Sequence, residues 1–186
     1  MNETLNIIAN RYSCRNYNGA TIEKEKLQEL AKAALHAPSS RNSQPWEIKI
    51  ITNKNLIDEM DKKVISDLEK REDKTGYNRI MERGGSPFYN APCMILILIP
   101  PNSHPAASLD CGIAVQNIAL AATSMGLGNV IAAMSQSPFI GEKGDYFKQK
   151  VGWDDGYEFG MGILVGYSDI SGNSHSIDFN KISYIE

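Results

Sequence analysis

The sequence has no cysteine pattern that could staple a fold. Cys14, Cys93 and Cys111 are an odd number at wide spacing, with no CxxC pair. Such thiols are reduced, buried or incidental, because a disulfide framework or thiolate zinc site needs cysteines in paired spacings. Histidine is scarce as well. His36, His104 and His175 lie far apart, which argues against a transition-metal centre. No apolar run approaches the roughly 20 residues that a membrane-spanning helix needs. The N-terminal stretch MNETLNIIANRYSCR sets an acid before its apolar residues and has no long hydrophobic core, unlike a secretory leader. Charge of one sign is missing too: 22 acidic residues face 19 basic ones. That balance gives no reason to expect a nucleic-acid or anionic-membrane partner. Together these absences point to a soluble, cytoplasmic globular protein.

Several catalytic signatures are absent. Gly126-Leu127-Gly128 lacks the third glycine of a dinucleotide fingerprint and follows a helical pattern where that fingerprint needs a strand. Gly160-Met161-Gly162 lies too near the C-terminus to open a βαβ unit, and there is no Walker loop. No paired carboxylates and no nucleophile–histidine arrangement suggest acid–base or covalent catalysis by side chains.

What is present is a well-patterned chain. Its 186 residues suit one domain, 1–186, with a sizeable core. Thr4 to Asn10 reads as a short helix, and Thr21 is a candidate N-cap for a second, whose apolar face is Leu27, Leu30, Ala31, Ala34 and Leu35. Trp46 to Thr52 alternates like a strand, and Ile57, Met60, Val64, Ile65 and Leu68 mark a third helix. The charged stretch from Lys70 to Ala91 has weak periodicity and reads as a mobile surface segment or lid. Met94 to Ile99, an unbroken apolar run, reads as a central strand buried on both faces. Asp110 to Gly128 is a helix apolar all round, suited to a subunit core or to a helix–helix subunit interface. NVIAAM and Met161 to Val165 add strands, and the tail FNKISYI alternates well enough to pair with a sheet. The order gives an α+β or α/β fold with a mixed sheet.

Two stretches invite a ligand. Arg11, Ser13 and Arg15 alternate after the first helix, so an extended chain would put two guanidinium forks and a hydroxyl on one face, as a phosphate clamp requires. The competing reading has Arg11 complementing a helix C-terminus and Arg15 as a solvated charge. HAPSSRNSQPWEI, from His36 to Ile48, is a polar loop pinned near both ends by Pro38 and Pro45. It looks built to hold backbone against something flat.

In this order the two motifs resemble the nitroreductase family of FMN enzymes. Asp110-Cys-Gly-Ile-Ala-Val-Gln116-Asn117, Ala121-Ala122, Gly126-Leu127-Gly128 and Leu164-Val165-Gly166-Tyr167 extend the resemblance over nearly the whole chain. It implies an α+β fold with a mixed central β-sheet flanked by helices, in a homodimer with composite active sites. It further implies that Arg11, Ser13 and Arg15 hold the FMN phosphate, while Pro38, Ser39, Ser40 and Asn42 line the flavin across the subunit interface. Ile131, Ala132 and Ala133 would run beside the other side of the flavin, and the apolar helix would form the dimer core. Trp46 either packs as a strand residue or touches the flavin.

A basic residue near the C-terminus commonly completes the family's phosphate site, and His175 or Lys181 are the candidates here. Arg41 stands where a smaller or neutral residue is expected. It either meets an anionic group of a substrate or points into solvent. The implied activity is electron transfer from NAD(P)H through flavin N5 to a nitroaromatic, quinone, flavin or similar acceptor, in ping-pong fashion. The alternatives are a flavin-binding protein without turnover, or a specialised dehalogenase or desaturase on the same fold.

Overall fold

The computed structural model describes residues 2–186. At its centre is a sheet in the order β1-β2-β4-β3, built from β1 Glu47–Ile51, β2 Cys93–Ile99, β3 Gly128–Ile131 and β4 Glu158–Gly166. All three strand pairs are antiparallel. One isolated parallel bridge, from Ser13 to Asn129, lies on the outer edge of β3. β2 lies between β1 and β4, and Cys93 through Leu98 are completely buried. That accounts for its unbroken apolar sequence, since a strand covered on both faces has no solvent side to make polar.

Alternate residues of β2 feed two cores. Met94, Leu96 and Leu98 join Ile57, Met60 and Val64 of α3 (Lys54–Glu69) on one face. Cys93, Ile95 and Ile97 join Leu30 and Ala34 of α2 (Lys24–Leu35) and Ala114, Ile118 and Ala122 of α5 (Ala107–Ser124) on the other. α1 (Glu3–Asn10) packs beside α5, and α6 (Gly144–Val151) packs near the 3₁₀ turns of Ala133–Phe139.

Four sequence expectations change. The second helix starts at Lys24 with Glu23 as its cap residue, not at Thr21. Ile22 is buried in the core, so the chain enters the helix only after that side chain is placed. The charged stretch after Lys70 contains α4 (Thr75–Glu82), docked through buried Ile80, and is followed by buried Phe88. The Asp61 carboxylate fixes this corner by accepting hydrogen bonds from Ser86 Oγ (2.6 Å) and Phe88 N (3.1 Å). α5 is not covered all round, because Gly112, Ile113 and Leu109 are exposed, the last at 72%. It closes at Ser124 with Gly126 left-handed at φ 73° and Leu127 N donating to Ala122 O at 2.8 Å, a Schellman ending. The alternating tail makes no strand. It carries one 3₁₀ turn, Phe179–Lys181, and leaves Ile177, Phe179, Tyr184 and Ile185 in solvent.

Candidate active site

α1 ends at Arg11, whose N–H donates to Ile7 O, and the chain then runs extended past the sheet. Cys14 N donates to Asn129 O at 2.8 Å, and Cys14 and Tyr17 are buried. Tyr12 and Cys14 pack toward the core, so the alternate residues Arg11, Ser13 and Arg15 take the opposite face, as two-residue periodicity dictates. Two details allow the close approach. A Cβ on Gly128 would lie 2.7 Å from Cys14 Sγ, so only glycine fits there. The Tyr17 hydroxyl donates to Leu164 O at 3.0 Å, and burial pushes its pKa well above the usual tyrosine value, so it remains a neutral donor.

Beside this segment opens a cavity of about 550 Å³, within the range typical of ligand sites. Its polar groups are Arg11, Ser13, Gln116 of α5, Ser174 and His175. Leu5 and Ile8 of α1, Ile131 and Ile177 give it apolar walls. No carboxylate lines it, and among the described residues the carboxylates pair only with lysines, leaving Arg11, Arg15 and Arg41 without acidic partners. Such a set can hold an anionic group at one end and an apolar body along the rest.

The structure thus brings Arg11, Ser13, Ile131 and His175 together. Arg15 is exposed just outside, with its Nη1 donating to Ser13 O at 3.4 Å. Ala132 and Ala133 continue the chain from Ile131 but do not line the cavity, because Ala132 packs against the core. Lys181 is also outside it. Gln116 was not foreseen as a site residue, although the Gln116-Asn117 amide pair interrupting the apolar run of α5 is the kind of signal that could have marked it.

Pro38, Ser39, Ser40, Arg41 and Asn42 do not reach this cavity in the same chain. Their loop follows α2 and is shaped by three left-handed residues within four positions, Arg41 (φ 55°), Asn42 (φ 54°) and Gln44 (φ 46°). None is glycine, and each such conformation costs about 1–2 kcal/mol. Two hydrogen-bonded anchors hold the shape. Gln44 N donates to Ser39 Oγ at 2.9 Å, and Ser40 N donates to both oxygens of Asp110 at 3.1 and 3.2 Å. Trp46, just past the loop, is half-buried against the α2–α5 side of the core, which favours its packing role. Asp110 and Gln116 are six positions apart on α5, about 9 Å along the axis. Between them lie Gly112 and Ile113 of the exposed face.

A sequence model of the Nitroreductase family matches residues 8–167. The chain belongs to the nitroreductase family. A nitroreductase from Desulfitobacterium hafniense DCB-2, crystallised with bound FMN, is 43% identical and superposes with a TM-score of 0.95 over 100% of both chains. Another nitroreductase crystallised with FMN, from Bacteroides fragilis, shares the fold at a TM-score of 0.86 over 100% of both chains and 23% identity. A relative from Archaeoglobus fulgidus, whose name refers to NADH dehydrogenase and NAD(P)H nitroreductase, is 28% identical over 70% of this chain and 67% of its own length. At this cavity the nitroreductase-family chain presents a guanidinium, two hydroxyls, an amide and an imidazole.

Proposed function

We propose that this protein is an FMN-dependent oxidoreductase that passes electrons from NAD(P)H to a nitroaromatic, quinone, flavin or similar acceptor, working as a homodimer from a single domain, 1–186. The observation that carries the proposal is the cavity that gathers Arg11, Ser13, Gln116 and His175 against apolar walls, on a fold shared with a nitroreductase crystallised with FMN. The donor set fits the cofactor. Arg11 and Ser13, with Arg15 at the rim and His175 from the tail, would hold the phosphate by charge-assisted hydrogen bonds. Ile131, followed by Ala132 and Ala133, would run along the ring system. When bound, FMN supplies the hydride and electron chemistry. The protein's own residues bind, orient and exclude water, and backbone N–H groups need no distinctive side chains to stabilise developing negative charge.

The loop of Pro38, Ser39, Ser40 and Asn42 completes the proposed site from a second subunit. Support comes from two surfaces that one chain leaves uncovered. They are the α5 face at Leu109 and Ile113 and the tail, where Ile185 is 97% exposed. Contiguous apolar patches of that kind mark protein interfaces. Among the described residues no helix is long and apolar enough to cross a membrane, which leaves another copy of the chain as the simplest cover.

The test is the visible spectrum of the purified protein, followed by anaerobic addition of NADH or NADPH. Flavin absorbance with FMN as the released cofactor, bleached by nicotinamide and restored by an added quinone, is the expected result. A colourless protein that takes up no FMN would refute the proposal, and bound FMN that no nicotinamide bleaches would reduce it to flavin binding without turnover.

A further inference from the structure

Asp110 is 4% exposed, sits in the first turns of α5, and has no cation within ion-pair distance among the described residues. A buried carboxylate without a counterion needs hydrogen-bond donors, and here the donor is a single backbone group, Ser40 N, shared between both oxygens. Ser40 opens the turn in which Arg41 and Asn42 are left-handed. Among the described residues nothing else holds the amide of Ser40, and the loop's other side-chain hydrogen bonds, Gln44 N to Ser39 Oγ and Gln44 Nε2 to Asn42 Oδ1, stay within the loop itself. The position near the α5 N-terminus eases the burial, since helix amides there favour negative charge.

From this geometry we infer that Asp110 is a positioning residue for the flavin-side loop. It ties the loop to the helix that carries the proposed subunit interface and thereby sets the wall that Ser39, Ser40 and Asn42 present to a partner's site. The inference rests on the proposed FMN function for its catalytic consequence, but the contact itself is independent of cofactor. A strained loop keeps its shape only where its surroundings over-determine it, and Asp110 is the group that does so here. The charge need not take part in chemistry. What the loop requires is an acceptor at this depth, which asparagine can also supply.

Amide hydrogen exchange over residues 39–44, measured on cofactor-free protein, tests the contact. FMN affinity and the separate kcat and KM values of the loaded enzyme test its consequence. Asp110→Ala should speed exchange in the loop by about tenfold or more, the loss expected for a hydrogen bond to a charged acceptor. FMN affinity should fall by a similar factor. Asp110→Asn should restore most of both. Ser40→Pro removes the donor instead, at a position whose preceding residue is already extended (Ser39 φ −140°, ψ 155°) and so tolerates proline. If Asp110 acts through Ser40, the Ala and Pro substitutions combined should do little more than either alone. Unchanged loop exchange in Asp110→Ala, or fully additive effects, would overturn the inference. Should the alanine variant not fold, the asparagine and proline variants decide it by the same two readouts. Failure of the parent protein to take up FMN would count against the proposed function and leave the exchange result standing as the test of the contact.

Discussion

The N-terminal segment from Arg11 to Tyr17 and the C-terminal segment from Ile177 to Ile185 are both extended, mostly irregular stretches with apolar residues set among polar ones, yet they end differently. The first finds its partner within the chain. Ser13 bridges to Asn129, Cys14 and Tyr17 are buried, and Tyr17 N and O are engaged by Tyr89 and Asn90. The second reaches the cavity wall only through Ile177, and Phe179, Tyr184 and Ile185 remain exposed. Apolar alternation therefore specifies that a segment needs a surface, and not which chain supplies it. In the proposed homodimer the tail's surface is a second copy of the protein.

Removing residues 178–186 should have the largest consequence. It should convert the proposed dimer to monomer in sedimentation equilibrium and strip FMN from the protein, while Ile177 and the rest of the cavity are kept. A milder version, Phe179→Ala, should weaken dimerisation by about 1.5–3 kcal/mol, the worth of burying a large apolar side chain. A truncated protein that dimerises as the parent does would show that the tail is simply solvated.

On the N-terminal side, Arg11→Ala should weaken FMN binding by about 1.5–3 kcal/mol, or roughly ten- to hundredfold. Riboflavin, which lacks the phosphate, should bind almost as before. Equal losses for both ligands in a fluorescence titration would mean that Arg11 acts through folding, as a helix-end residue.

Asp61 sharpens the same comparison from beneath. It holds Ser86 and Phe88, and the corner they form carries Tyr89 and Asn90 against Tyr17. Burial raises the Asp61 pKa above the ordinary 3.8, ahead of the opposing hydrogen bonds from Ser86 and Phe88. The folded protein therefore binds this proton more tightly than the unfolded chain does. The stability contributed by the group is fully present below pH 3.8 and is lost as pH rises through its folded value. Both donors use the same oxygen, Oδ2, so the amide oxygen of Asp61→Asn can accept both. The variant should match or exceed the parent in melting temperature at pH 7, and the difference should shift in the parent's favour toward pH 3.5. A pH-independent difference would contradict this.

The smallest expected effect is at Arg41, the exposed counterpart of Arg11. Arg41→Ala should leave FMN content unchanged and raise KM severalfold only for an anionic acceptor or for NADPH over NADH, as loss of a single charge contact would. A flat profile across neutral and anionic substrates would make Arg41 a solvated loop tip.

How far the sequence could be read depended on whether a pattern was answered inside one chain. β2 was legible because both of its faces are buried by the same protomer. The Arg11–Ser13–Arg15 face was legible because Cys14 is pulled inward between two of its members. The start of α2 was not, because Thr21 is the better capping side chain, but burial of Ile22 overrides it. α4 was hidden by its brevity: only Ile80 of its eight residues is buried, too little apolar face to stand out among charges. The open face of α5 and the missing tail strand share one cause, since both patterns call for cover that periodicity alone cannot locate. The role of Asp110 was unreadable, because its partner is a backbone amide 70 positions away.

In the proposed homodimer each FMN site is shared, with the phosphate clamp from one subunit and the loop from the other. Co-expression of two differently tagged inactive chains tests this sharing, one carrying Arg11→Ala and Ser13→Ala, the other carrying Asn42→Trp to block the loop. If sites are composite, the purified heterodimer holds one intact site and one doubly damaged site, so it should bind one FMN per dimer and recover about half the activity per dimer. If each chain builds its own site, the heterodimer holds two damaged sites and should bind no more FMN than either homodimer.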